Sequence, residues 1–491
     1  MGRIRFERQA PVTASDPQRA DVACFVGFVA RRPGPVPAAV RSWLVVRSWL
    51  KSPYERPPVD ELLDVPVPID TWDAFDAVFA WERRPLAGEG RLGTYLGAAV
   101  RSFFAQGGRK AYVVRLGDPL PYGADEKERT KRLAKLLPTD MSPGDRRSWS
   151  GAGHLLGLPD VSFLCLPDLP DLVRDLPLPP QVGIEPPVPP ERFVECSAPE
   201  PPPPADGWAR RLAAPRCCVA GYARWVEVLS PVARLLAERL REVHLVAAVP
   251  IPLEGDPYAA DLPARLSGMG SAFVQLAYPW VRTPGSLHLP EELESPDGVL
   301  AGLLARNALA RGAFRSAAGL GLADVRALAP ELRRDQTGRP GSDGLALIDR
   351  VSLFGPTPAG LQLLSDVTTS ADPSYRPAGV SRLVSSLARA ARRLGEGSAF
   401  EPAGEALWSR LQDSAAALLR ALWDLGALRG ATPAEAFEVR CDRSTMSQQD
   451  VDQGRTVVRV RFAAAAPVEA ITVALAVDEG GQVSLASPEA A

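Results

Sequence analysis

The chain has 491 residues, of which 46% are hydrophobic and 23% charged, and a formal net charge of −2. That length allows two or more domains with full cores, and the balance is that of a globular protein rather than a disordered or fibrous one. A charge so close to zero excludes bulk attraction to nucleic acid or to an anionic membrane.

Proline is abundant at 50 residues, about twice the usual share of roughly 5%, and its clustering marks linkers and loops. Residues 1–21 are polar, carry Pro11 and Pro17, and read as an arm. Residues 22–30, V-A-C-F-V-G-F-V-A, read as a buried strand stopped by Arg31-Arg32-Pro33-Gly34-Pro35. R-S-W-L occurs at 41–44 and 47–50, too short a recurrence for a repeat architecture. Val65 to Ile69 form a strand, and Asp70 or Thr71 caps a helix with Trp72, Phe75 and Phe79 on one face. Residues 93–105 are an apolar helix stopped by Gln106-Gly107-Gly108, where at least one glycine needs a positive φ. A strand at 110–116 follows. Residues 118–155 are charged and turn-rich and read as a surface excursion.

Further strands are expected at 161–166, 243–249 and 273–278, with helices at 231–241 and 297–314. Residues 176–205 form a proline-rich loop of polyproline character, and 331–345 a polar loop. The strand–helix alternation between 158 and 315 predicts an α/β layer with a largely parallel sheet. From 372 the pattern changes. A helix at 379–394 carries Val380, Leu383, Val384, Leu387 and Leu394 at helical spacing. A second helix, 405–425, ends at Gly426, and strands follow at 437–441, 455–463 and 469–477, an α+β terminal domain.

Chemical motifs are sparse. Six cysteines form no framework and read as reduced thiols. The three histidines, His154, His244 and His288, have no metal spacing. The N-terminus lacks an apolar signal-peptide core and no window is a membrane span, which implies synthesis and assembly in the cytoplasm. Gly88 to Gly93 spell G-x-G-x-x-G, but the residues before them are charged and broken by Pro85, so a flexible turn is expected rather than a dinucleotide site. No G-x-S-x-G elbow exists. Asp442, Asp450 and Asp452 lack the spacing of a calcium loop, and Asp442 and Asp450 read as turn and cap residues. No catalytic, cofactor-binding or metal-ligating residue is expected. The alternative is an α/β enzyme with an unrecognised active site.

Four blocks, in order, resemble contractile tail sheath proteins of phage tails and phage-tail-like injection systems. They are V-P-V-P-I-D-T-W-D-A-F at 65–75, T-Y-L-G-A-A-V-R-S-F-F-A-Q-G-G-R-K-A-Y-V-V-R-L at 94–116, and Y-P-W-V at 278–281 with S-P-D-G-V-L-A-G-L-L-A-R-N-A-L-A-R-G-A-F at 295–314. The fourth runs from S-A-D-P-S-Y-R at 370–376 through G-A-L-R-G-A-T-P-A-E-A-F-E-V-R-C-D-R-S-T-M-S-Q-Q-D-V-D-Q-G-R. The resemblance implies a multi-domain fold: arm 1–21, N-terminal sheath region 22–117, middle subtilisin-like α/β domain without protease chemistry 118–369, C-terminal α+β sheath domain 370–480, and tail 481–491. It also implies helical polymerisation around an inner tube and contraction that drives the tube through a target envelope. The partners would be further copies, sheath paralogues, the tube protein, and baseplate and terminator or cap proteins, with no nucleic acid and no direct membrane insertion. Arg3, Ile4, Arg5 and Phe6, with Arg455, Val457, Val458 and Val460, are the expected inter-subunit residues. Arg410, Asp413, Arg420 and Asp424 lie off the apolar stripe of helix 405–425 and are expected to face the tube. Gly107, Gly108, Trp280, Asp442, Thr445, Asp450 and Gly454 carry structural motifs. The chain departs from the family's pattern at Arg3 to Arg8, Val367, Ala308 and Phe314.

Overall fold

The computed structural model describes residues 19–49, 61–86, 91–137, 141–175, 209–253, 266–341, 344–398, 401–402, 404–465, 471–477 and 483–486. Arg3, Ile4, Arg5 and Phe6, the 176–205 loop, and Gly88 and Gly90 lie outside the described residues.

Long apolar runs at 22–27, 161–165, 244–248 and 274–278 have no polar alternation, as strands covered on both faces require. They build an eight-stranded sheet. Its strands are β1 (Val22–Gly27), β2 (Pro66–Ile69), β3 (Ala111–Arg115), β4 (Val161–Cys165), β5 (His244–Ala248), β6 (Val274–Tyr278), β7 (Ser352–Thr357) and β8 (Gly360–Leu363). The order is β8-β7-β6-β5-β4-β1-β3-β2. The six central strands are parallel, with Cys24 beside Tyr112 and Leu245 beside both Leu164 and Val274. Each edge ends in an antiparallel strand, Val67 opposite Val113 on one side and Phe354 opposite Leu363 on the other. The sheet therefore takes strands from residues 22–117 and from residues 118–369 alike.

One face is covered by helix α5 (Val219–Arg239) through Trp225, Leu229 and Leu236. The other is covered by α3 (Tyr95–Ala105) and α6 (Asp297–Arg311) through Phe103, Val299 and Leu303. These two helices touch backbone to backbone. A Cβ on Gly298 or Gly302 would lie 2.3 Å from the Ala99 carbonyl oxygen or 2.5 Å from that of Phe103. Thr94 caps α3 by accepting from the Gly97 N–H. Gly107, at φ 106°, ends it, and the Gly107 and Gly108 N–H groups donate to Phe104 and Phe103.

Several elements differ from expectation. The 118–155 stretch is more than a surface excursion. It contains α4 (Glu126–Leu136), whose narrow apolar side places Leu133 and Leu136 in the core, followed by a 3₁₀ turn that adds Ala152 and Leu155. Helix α5 begins at Val219 and contains Pro231, which reads in sequence as a helix start because proline suits the first turn. Helix α6 ends at Arg311, because Gly312 at φ 97° leaves the helical region. Helix α1 (Ala38–Val46) spans the first R-S-W-L, with Trp43 against Tyr112, and α2 (Trp72–Val78) is capped by Thr71.

After the central sheet come α7 (Ala378–Ser398), α8 (Glu405–Asp424) and four antiparallel strands. These are β9 (Phe437–Arg440), β10 (Thr456–Phe462), β11 (Ile471–Val477) and β12 (Val483–Ala486), paired in sequence order. The last of them falls in the expected tail. Val439 stands opposite Val460, and Val458 opposite Leu475. Leu383, Leu387, Leu411, Leu419, Val458, Val460 and Phe462 form the core of this second unit.

Candidate assembly surfaces

The second unit presents two kinds of surface. Strand β10 alternates over its second half, with Arg459 and Arg461 exposed and Val458, Val460 and Phe462 buried against the helices. This is the pattern of a sheet with one covered face. The sheet's outer strands are β9 and β12, and the outward backbone groups of such strands are a template for another strand. The expected residues Val457, Val458 and Val460 sit on β10, which is paired on both sides, so its backbone holds this chain's own sheet. Arg455 precedes β10 and lies 3.4 Å from Asp450. In sequence both 455–463 and 469–477 read as the candidate sheet, with the contact residues placed on the first. Pairing order, which decides the edge, leaves no mark in composition.

Helix α8 buries Leu407, Leu411, Ala415, Leu419 and Leu422. Arg410, Asp413, Arg420 and Asp424 are all exposed, and the three- and four-residue steps between Asp413, Ala417, Arg420 and Asp424 put them on one outward face. Arg410 is ion-paired with Glu401.

The turns before β10 are held locally. Asp442 accepts from the Ser444 N–H and hydroxyl, which keep its carboxyl below the ordinary range. The Thr445 hydroxyl donates to the Val457 carbonyl at 2.7 Å, tying the turn to β10. Ser447 and Asp450 cap each other across the short helix Gln448–Asp452, and Ser447 holds the Asp450 carboxyl low. Gly454, at φ 65°, makes the return. Trp280 is fully buried in the central body, its indole N–H donating to the Val249 carbonyl at 2.9 Å.

The sequence did not disclose the joint between the two units. Helix α7 turns its apolar stripe to the second unit, and its other side is buried too. The Arg382 guanidinium makes a two-pronged pair with Asp366 at 2.6 and 2.9 Å, and Gln275 and the Ala317 N–H also donate to that carboxylate. Burial alone raises the pKa of Asp366, but the Arg382 charge outweighs it and the carboxyl stays below its ordinary range. Arg389 donates to the carbonyls of Arg19, Val161 and Glu242, and burial lowers its pKa to about 10. The Ser385 hydroxyl donates to the Arg241 carbonyl and lies 2.9 Å from His244 Nε2. Burial, with Arg382 and Arg389 adding to it, brings the His244 pKa down to about 3, so this imidazole is neutral.

Open α/β sheets bind ligands outside the carboxyl ends of their strands. Here that end carries buried charges in mutual contact. Asp168 accepts from the Phe28 and Leu96 N–H groups, and Asp171 pairs with Arg84 and Arg174. Burial pushes the Asp168 pKa up to about 7. A Cβ on Gly27 would lie 2.2 Å from an Asp168 oxygen, so the space is filled. Among the described residues, no group of three or more His, Cys, Asp or Glu side chains is placed to hold a metal, and no helix is long and apolar enough to cross a membrane.

No protein-family profile and no curated protein matches the chain. Solved structures do. The helical sheath of the anti-feeding prophage in its contracted state is 19% identical, with 96% of this chain and 97% of that one covered at a TM-score of 0.54. The contracted sheath complex of PVC, an extracellular contractile injection system, is 16% identical over 95% and 94%, at 0.53. A chain of the anti-feeding prophage baseplate in its contracted state is 20% identical over 95% and 96%, at 0.57. The protein therefore has, along nearly its whole length, the mixed α/β fold of contractile-sheath subunits.

Proposed function

We propose that this chain is a structural subunit of a contractile sheath, acting without catalysis or cofactor. Many copies join through a heterologous, non-closing interface into a helical tube around an inner tail tube, and shortening of that tube drives the inner one through a target envelope. The observation that carries this reading is a closed α/β body bearing a four-stranded antiparallel sheet whose outer strands are β9 and β12, on a fold shared over 96% of this chain with a contracted helical sheath. The central α/β unit is read as subtilisin-like and non-catalytic, its buried charges serving packing.

Assembly proceeds by strand addition, in which an arm from one copy supplies a strand to the neighbour's terminal sheet. The arm is residues 1–21, with Arg3, Ile4, Arg5 and Phe6 as its contact residues. The accepting domain is 370–480 together with the β12 segment of the 481–491 tail. Residues 22–117 and 118–369 form the body. The exposed face of α8 meets the inner tube through Arg410, Asp413, Arg420 and Asp424. Sheath paralogues, baseplate and cap proteins are the remaining partners. Subunits assemble in the cytoplasm into a phage tail or phage-tail-like particle.

Deleting residues 1–18, which keeps Arg19 as the partner of Asp21 and Arg389, tests the arm. The truncated chain should remain folded, with unchanged circular dichroism, and should sediment as a monomer where the full chain forms tubes. Normal-length tubes from the truncated chain would remove the arm from the account.

A further inference from the structure

A cleft of about 530 Å³ lies where the start of β1, the end of α6 and the C-terminal end of α8 meet. Arg19, Arg109, Arg311 and Arg315 line it, and among the described residues no carboxylate-bearing side chain does. The Arg19 guanidinium is paired with the buried Asp21 at 2.8 Å, and Arg315 donates to the Leu425 carbonyl at 3.1 Å. Arg109 and Arg311 are exposed, and among the described residues neither has an ionic partner. Between the arginines the cleft is apolar. Leu309 is 41% exposed and Leu425 45%, two of the few large aliphatic side chains the described surface leaves open.

Like charges gathered around one cleft repel one another and gain most from a countercharge that enters it. Guanidinium groups are planar forks that grip carboxylates two-pronged and are more weakly hydrated than an ammonium. A phosphate polymer would use the arginines but leave both leucines wet. We propose that this cleft docks an acidic peptide segment of a partner protein. A large apolar side chain would sit on Leu309 and Leu425, and flanking carboxylates would meet Arg109 and Arg311. This goes beyond the sheath reading and does not depend on it, because it concerns a surface of the single subunit.

The test is fluorescence anisotropy on the full-length protein with a labelled peptide, Gly-Asp-Glu-Leu-Glu-Asp-Gly, and its neutral Asn/Gln isostere. The acidic peptide should bind at low salt, and the isostere should bind at least about tenfold more weakly, because charge-assisted bonds are the stronger ones. Arg109→Glu/Arg311→Glu should cost a similar factor, and Leu309→Ser should weaken binding several-fold without changing its salt dependence. Thermal melts of each variant establish that it is folded, and Arg109→Gln and Arg311→Gln singly serve if the double reversal is not. Equal affinity for peptide and isostere, or unchanged affinity in the folded variants, would overturn the proposal. So would no binding at millimolar peptide. A short single-stranded DNA that binds more tightly through the same arginines would overturn it as well, reassigning the cleft to phosphate.

Discussion

The two sheets of this molecule are built from similar apolar strands and end differently. The central sheet is covered on both faces, and its parallel strands are closed at each edge by an antiparallel partner. The terminal sheet is covered by helices on one side, and β10 shows charged residues on the other. The first arrangement is complete within one chain. The second has β9 and β12 as its outer strands, the ones proposed above to take a neighbour's strand. What joins them is polar: α7 grips the body through Arg382 and Arg389, so the terminal sheet is carried on a fixed mount.

The largest expected effect comes from breaking that mount. Asp366 is fully buried and Arg382 nearly so, so Asp366→Ala strands a guanidinium and should cost about 3–5 kcal/mol. Urea denaturation reads it, and Asp366→Ala/Arg382→Met should recover much of the loss. A loss below about 1 kcal/mol would mean the pair is screened as a surface pair is.

A substitution in each region sharpens the contrast. Gly302→Val forces a side chain into the Phe103 backbone and should destabilise by about 1–3 kcal/mol. Arg459→Ala, on the open face of β10, should stay within about 0.5 kcal/mol. Similar melting-temperature shifts for the two would erase the distinction between a closed and an open sheet.

A smaller effect comes from pH and belongs to the central body alone. Burial pushes the Glu294 pKa up to about 8, against an accepted bond from the Ser102 hydroxyl. The folded chain then holds a proton that the unfolded chain has released, so stability falls as pH rises toward 8. His244 acts in the opposite sense, adding stability as pH rises from about 3, and is spent above its unfolded value of 6.5. The melting temperature should therefore fall between pH 6.5 and 8, and Glu294→Gln should flatten that slope. An identical slope in the variant would show that Glu294 is ionised throughout.

At α8 too the expected change in stability is small. Arg410→Glu/Arg420→Glu alters exposed charges, so the monomer's stability should move by no more than about 1 kcal/mol. Assembly should change instead. Empty, contracted tubes should still form, and tube-filled extended ones should not, with the difference larger at low salt. Filled assemblies at normal yield would leave this face as plain solvent-exposed surface.

Much of the body was legible in sequence because two-sided burial leaves unbroken apolar runs, as at Val274–Tyr278, and because Gly107 must take a positive φ. The mount was not legible. Arg382, Ser385 and Arg389 look like the wet side of an amphipathic helix, and the groups that satisfy them, Asp366 and the carbonyls of Arg19, Val161, Arg241 and Glu242, come from other segments. Nor was the identity of the outer strands, since β9 is short and β12 falls in what reads as tail. Hydrophobic pattern reports which face a residue takes and says little about which strand lies beside it.

The central claim is that the terminal sheet adds strands between copies. Negative-stain electron microscopy of the purified full-length protein tests it most directly. Long hollow cylinders are the result this account predicts. Compact, uniform particles at every concentration and salt tried would contradict it.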